Sequence, residues 1–167
     1  NPNADAASFD TTIAATRSQL EQATATLALG QLTREGDAIR IPVTISTLVG
    51  HKLPTGFPSR RVFLRVEVSD NQGEPVFVSG GFDARGRLVD AAGDPLAEEL
   101  AGGPIMAHAN ELGADPNHVQ IWEAVMADEH GLPTYRLLRG VEYLKDNRLL
   151  PPGWDPGAST PDIAPHG

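Results

Sequence analysis

The sequence predicts a mainly β protein: an antiparallel two-sheet sandwich of immunoglobulin-like type, with an N-terminal α-helix and long loops. Three observations lead there. Period-two alternation of apolar and polar residues recurs in several short segments, the pattern of half-buried strands. Seventeen Gly and fourteen Pro in 167 residues put turns between them. One segment alone, at the start, carries the three- and four-residue apolar spacing of a helix. The expected organisation is a helical segment over 1–30, a sandwich domain over 31–155 and an irregular Pro/Gly tail over 156–167.

The helix is predicted over Ser8–Leu29, where Ile13, Thr16, Leu20, Ala23 and Leu27 form one narrow stripe. Ser8 or Asp10 supplies the N-cap and Gly30 the stop. Alanine and threonine fill much of that stripe, so the helix needs a surface to lie on, and its own domain is the expected one. In "DAIRIPVTIST", Ile39, Ile41, Val43 and Ile45 alternate with polar residues, and Pro42 marks an edge or a bulge because it lacks a ladder donor. Val62, Leu64, Val66 and Val68 alternate in the next strand. Asp70–Gly73 turns the chain into "EPVFVSGG". Phe82–Asn117 reads as an irregular excursion with a short helical turn at Leu96–Leu100. A second hairpin follows. "HVQIWEAVMAD" places Val119, Ile121 and Val125 on one face and Trp122 on the other, and Glu129–Pro133 turns into "TYRLLRGVEYL", with a helical last part as the alternative to a strand. No internal repeat is evident.

Composition removes several function classes. The formal charge of −9 opposes general nucleic-acid binding, which needs a basic surface. No apolar run reaches the roughly 18–20 residues of a membrane span. The absence of cysteine removes disulfides, thiolate catalysis, cysteine-bound zinc, iron–sulfur clusters and covalent haem attachment within this chain. The start at Asn1, with no apolar leader, suggests a processed protein or an excised domain.

Candidate chemistry is sparse. His51, His108, His118, His130 and His166 stand at no paired-ligand spacing, so a metal site would have to be assembled by folding. Asp83, Asp90 and Asp94 hint at calcium. A regular calcium loop fails, however, because Arg85 and Arg87 fall where ligands should stand after Asp83, leaving only an irregular site. No nucleophile elbow and no phosphate-cradling loop is present. The loop "GHKLPTGFPSRR" is stiffened by Pro54 and Pro58, and Gly56 allows a turn there. It is either a structural corner or a ligand-presenting site. Arg60 and Arg61 point to opposite faces of the incoming strand, so one of them is expected to pair with a carboxylate inside the domain.

Three blocks stand in order along the chain: "GHKLPTGFPSRRVFLRVEVSD", "VQIWEAVMAD" and "LLRGVEYLKDNRLLPPGWD". Together they resemble the C-terminal β-sandwich region of exported multihaem c-type cytochromes. The resemblance implies a periplasmic or cell-surface domain that packs against haem-bearing segments. That family carries many C-x-x-C-H sites before this region and this chain has none, so any haem c would belong to a partner chain or another segment. In that setting His51, then His108, are the implied axial-ligand candidates. Lys52, Arg60 and Arg61 are the candidates for propionate or anion contact. The expected function is therefore a non-enzymatic exported domain that associates with or scaffolds a multihaem cytochrome in electron transfer. The alternatives are a stand-alone ligand- or metal-binding module for calcium or copper, and a hydrolase with an unrecognised carboxylate site.

Overall fold

The computed structural model describes residues 5–108, 111–161 and 163–166. Twelve short strands pair antiparallel into one four-stranded and four two-stranded sheets among these residues, behind a single N-terminal α-helix. The chain divides into two compact units, one of residues up to Leu53 with Leu150–Trp154, the other of Pro54–Leu149 with the residues from Asp155 on. No helix among the described residues is long and apolar enough to cross a membrane.

In the first unit the helix α1 spans Ala6–Gln22. Asp5, not Ser8 or Asp10, is its N-cap: the carboxylate accepts the Ser8 amide at 2.7 Å, and hydrogen bonding from Ser8, its side chain first and this amide second, holds the Asp5 pKa below the usual aspartate value. The helix ends seven residues before its expected last residue, Leu29. Residues Ala25–Leu29 instead form β1, because Ala25, Leu27 and Leu29 also satisfy a two-residue period and find a partner strand. Strands β2 (Thr33–Glu35) and β3 (Ala38–Arg40) make a hairpin, and β4 (Val43–Thr47) pairs with β1. The single strand expected across Ile39–Ile45 is thus divided. Pro42 cannot donate to a ladder, and there the chain changes partner from β2 to β1. The helix buries none of its residues; Phe9, Ile13 and Leu20 face solvent, contrary to the expected packing on its own domain.

In the second unit β5 (Arg61–Phe63) and β6 (Val66–Ser69) replace the one strand expected there. The Leu64 amide continues the pairing of β5 by donating to the Gln120 carbonyl, and the chain then bends into β6. Gly80 makes the bend feasible. It sits at φ +76°, and a Cβ on it would lie 2.2 Å from the Leu64 carbonyl oxygen. Strand β7 (Pro75–Ser79) returns along β6 as expected. The excursion is more ordered than expected: β8 (Gly81–Phe82) and β9 (Leu88–Val89) pair, Val89 bridges to Pro95, and a 3-10 turn covers Ala97–Glu99.

Strand β10 (Ile121–Ala127) is the centre of this unit. It pairs with β5 at Ile121–Glu123, and with β11 (Pro133–Thr134) and β12 (Glu142–Asp146) near its other end. The segment expected to return as one strand thus supplies both neighbours. It leaves β11, makes a 3-10 turn at Leu137–Arg139, and re-enters on the opposite edge of β10 as β12. All but one residue of β10 are buried, so both of its faces, the one with Ile121 and Val125 and the one with Trp122, are covered. Leu88, Leu96, Met106, Val119 and Ile121 form the core, with Phe63 against it and Phe82 edge-on to Phe63 at 5.9 Å.

Four turns of this unit share one construction: Asp70–Glu74, Asp83–Arg87, Asp90–Asp94 and Asp128–Leu132, each reading Asp-x-x-Gly-x. The Asp Oδ1 accepts the amides two and four residues on, at 2.8 to 3.1 Å. The Asp amide donates to the carbonyl four residues on, and the glycine takes a φ of +74° to +88° that a side chain would resist.

Candidate functional site

The loop after β4 presents His51 to solvent. Its Nδ1 lies 3.1 Å from the Lys52 carbonyl oxygen. A carbonyl only accepts, so Nδ1 carries the proton and Nε2 keeps its lone pair. This tautomer leaves Nε2 able to ligate a metal. Lys52 places its ammonium over the Trp154 ring, 5.5 Å from the centroid, joining the loop to the Pro-Pro-Gly-Trp segment in the same unit. Further on, Arg60 closes the turn. Its amide donates to the Phe57 carbonyl at 3.0 Å, its guanidinium donates to the Thr55 carbonyl at 3.2 Å, and it lies over the Phe57 ring.

Arg61 points the other way and is the arginine that pairs internally. Its guanidinium forks onto Glu99 at 2.5 and 3.2 Å and also donates to the Gly86 carbonyl at 2.6 Å. Glu123 stands opposite Arg61 in the β5–β10 register. On the far side of Glu123, Lys145 of β12 donates to its carboxylate at 2.9 Å and to the Met106 carbonyl at 2.7 Å. A row of alternating charge, Glu99–Arg61–Glu123–Lys145, therefore runs across three strands. Lys145 is 4% exposed and Glu123 7%, so each charge depends on its partner.

This row borders a cleft of about 410 Å³. Arg61, Glu98, Glu99, Glu123 and Tyr135 are its polar lining, and core residues form its wall. Tyr135 keeps 60% of its surface exposed. Desolvation along the cleft raises its phenol pKa, and so does the Glu123 carboxylate; Arg61 opposes the shift and Glu99 adds to it.

The other candidates are scattered. The His108 Nδ1 accepts from the Asn147 side-chain amide at 2.9 Å. That amide also donates to the Ile121 carbonyl while its oxygen accepts the Glu123 amide, which fixes its orientation. The neutral His108 ring thus holds its proton on Nε2, the tautomer opposite to that of His51. The His118 Nε2 lies 3.3 Å from the Ala107 carbonyl, His130 lies beside Glu129, and His166 bridges to Asp146 through the backbone. Asp83 and Asp90 cap two of the four turns. Arg87 completes the Asp83 carboxylate, and Asp94 donates its amide to Asp90. No three His, Asp or Glu side chains converge among the described residues.

No family model, curated protein or solved structure matches this chain.

The residues that sequence reasoning missed are Glu98, Glu99, Glu123, Tyr135 and Lys145. A signal existed for two of them: Glu123 interrupts the apolar "VQIWEAV" and Lys145 interrupts "EYLKD", which foreshadows a buried pair.

Proposed function

We propose that this chain is a non-enzymatic, exported β-sandwich domain that docks against a multihaem c-type cytochrome and offers His51 as an axial ligand to a haem of that partner. The observation that carries the reading is the exposed His51 imidazole, whose Nδ1–H donates to the Lys52 carbonyl and leaves the lone pair of Nε2 for a metal. The three sequence blocks that resemble the cytochrome region support the choice of partner. Two of them are joined by the Lys52–Trp154 contact. The burial of both faces of β10 supports a two-sheet arrangement within the second unit. Haem, when bound by the partner, would supply one-electron transfer; this chain would supply a ligand nitrogen and a docking surface.

The test is to isolate the full chain from its host and record visible spectra of what copurifies. A low-spin Soret and α band is expected with the native chain. His51→Ala should keep the cytochrome but shift the spectrum toward high spin, whereas His108→Ala should leave it unchanged. Absence of haem from the native preparation, or identical spectra with and without His51, would remove the proposal.

A further inference from the structure

We propose that the cleft beside β10 binds an amphipathic monocation, a primary ammonium or guanidinium carried on an apolar body. The site lies wholly within the second unit and does not rest on the role of His51. Its volume of about 410 Å³ falls in the range of small-ligand sites. Leu88, Ile105, Met106, Ile121, Val125 and Leu132 make most of the wall apolar.

Charge decides which ligand fits. Arg61 is neutralised by Glu99, and Glu123 by Lys145. Glu98 remains: half-buried, on the cleft wall, and without a hydrogen bond or ion pair among the described residues. The cleft therefore offers one uncompensated carboxylate on an otherwise neutral apolar surface, which selects a single positive charge. An anion would have to pull Arg61 from Glu99 and leave that carboxylate unpaired in a half-closed site, an expensive exchange. A metal ion would need several converging oxygens or nitrogens, and no three acidic or histidine side chains meet among the described residues. Tyr135 on the lining adds an aromatic ring, which favours a cation further. The same chemistry could arrive as a free amine or as a lysine or arginine side chain of another protein.

The full chain, labelled with nitrogen-15, is titrated with hexylammonium, with hexanoate and hexanol as matched controls, and with Nα-acetyl-lysine methylamide. Hexylammonium should bind saturably and shift the amide signals of Glu98, Leu100 and Val125. Hexanol should bind more weakly, and hexanoate should leave these signals in place. Glu98→Gln should weaken hexylammonium about fivefold, the size expected of one partly exposed charge pair. Glu67→Gln, at an exposed pair with Arg65, should change nothing. If the lysine derivative binds more tightly than hexylammonium, the source is a partner's side chain; the reverse order assigns a free amine, and both orders uphold the proposal. Failure of both cations to bind, hexanoate binding as tightly as hexylammonium, or an unchanged affinity in Glu98→Gln would overturn it.

Discussion

The charged row across β5, β10 and β12 concentrates energy in very few side chains. Lys145 and Glu123 are both buried, so removing one partner leaves an ion without water or counter-ion. Lys145→Met alone is expected to cost about 3–5 kcal/mol in denaturant unfolding, and Glu123→Leu with Lys145→Met together clearly less than Lys145→Met alone. Equal losses in the single and double variants would show that packing, not charge, dominates. The aspartates of the turns behave differently. The Asp128 pKa lies below the ordinary value because its carboxylate accepts the His130 and Leu132 amides, and the Asp83 pKa is lowered chiefly by the Arg87 amide. Depressed folded values mean that the stabilisation is complete above the unfolded pKa, about 4, and is lost as pH falls through the lower folded value. Carboxyl-carbon NMR titration should place both midpoints below that of an unstructured aspartate, and Asp128→Ala should make hairpin β10–β11 less sensitive to acid. A midpoint at the ordinary value would refute the capping role.

At the level of elements, the bend between β5 and β6 is the least forgiving place. Gly80→Ala would force a methyl onto the Leu64 carbonyl while also demanding a positive φ, and should cost about 3 kcal/mol or more. Gly73→Ala, at φ +88° with open space around it, should cost about 1–2 kcal/mol for the backbone alone. Denaturant melts of the two variants compare a clash with mere conformational strain. The helix is the opposite case. Ile13 is half exposed and packs into no core, so the effect of Ile13→Ser on unfolding should stay within about 0.5 kcal/mol. These elements also show what the sequence made legible. Hairpin β6–β7 was readable because alternation, a turn signal and a returning strand agree locally. Strand β1 was not, since Leu20, Ala23 and Leu27 fit a helical spacing as well, and the pairing with Val43–Thr47 decides between the two readings. The split at Pro42 was half-readable: proline announced a break but not the change of partner.

Across the whole molecule, order is concentrated on one strand. β10 is gripped along both edges and covered on both faces, whereas Leu27 and Leu29 in the first unit are more than half exposed. Native-state hydrogen exchange should therefore be slowest at Val125 and Ala127 and markedly faster along β1 and β4. Uniform protection across the chain would contradict that hierarchy. The candidate site was less legible than the fold. His51, Lys52 and Arg60 lie close in sequence and could be chosen by reading. The cleft was not visible, because Arg61 meets Glu99 and Glu123 only when segments 38 and 62 residues apart fold together.

The recurring Asp-x-x-Gly turns carry one more implication. Their geometry is fixed by the first and fourth residues and by the backbone, so the two positions between them contribute no side chain to closing the loop. Asn71-Gln72, Ala84-Arg85, Ala91-Ala92 and Glu129-His130 are in effect four interchangeable cassettes. New recognition sequences could be written into them, on separate hairpins, without altering the hydrogen bonds that close each loop.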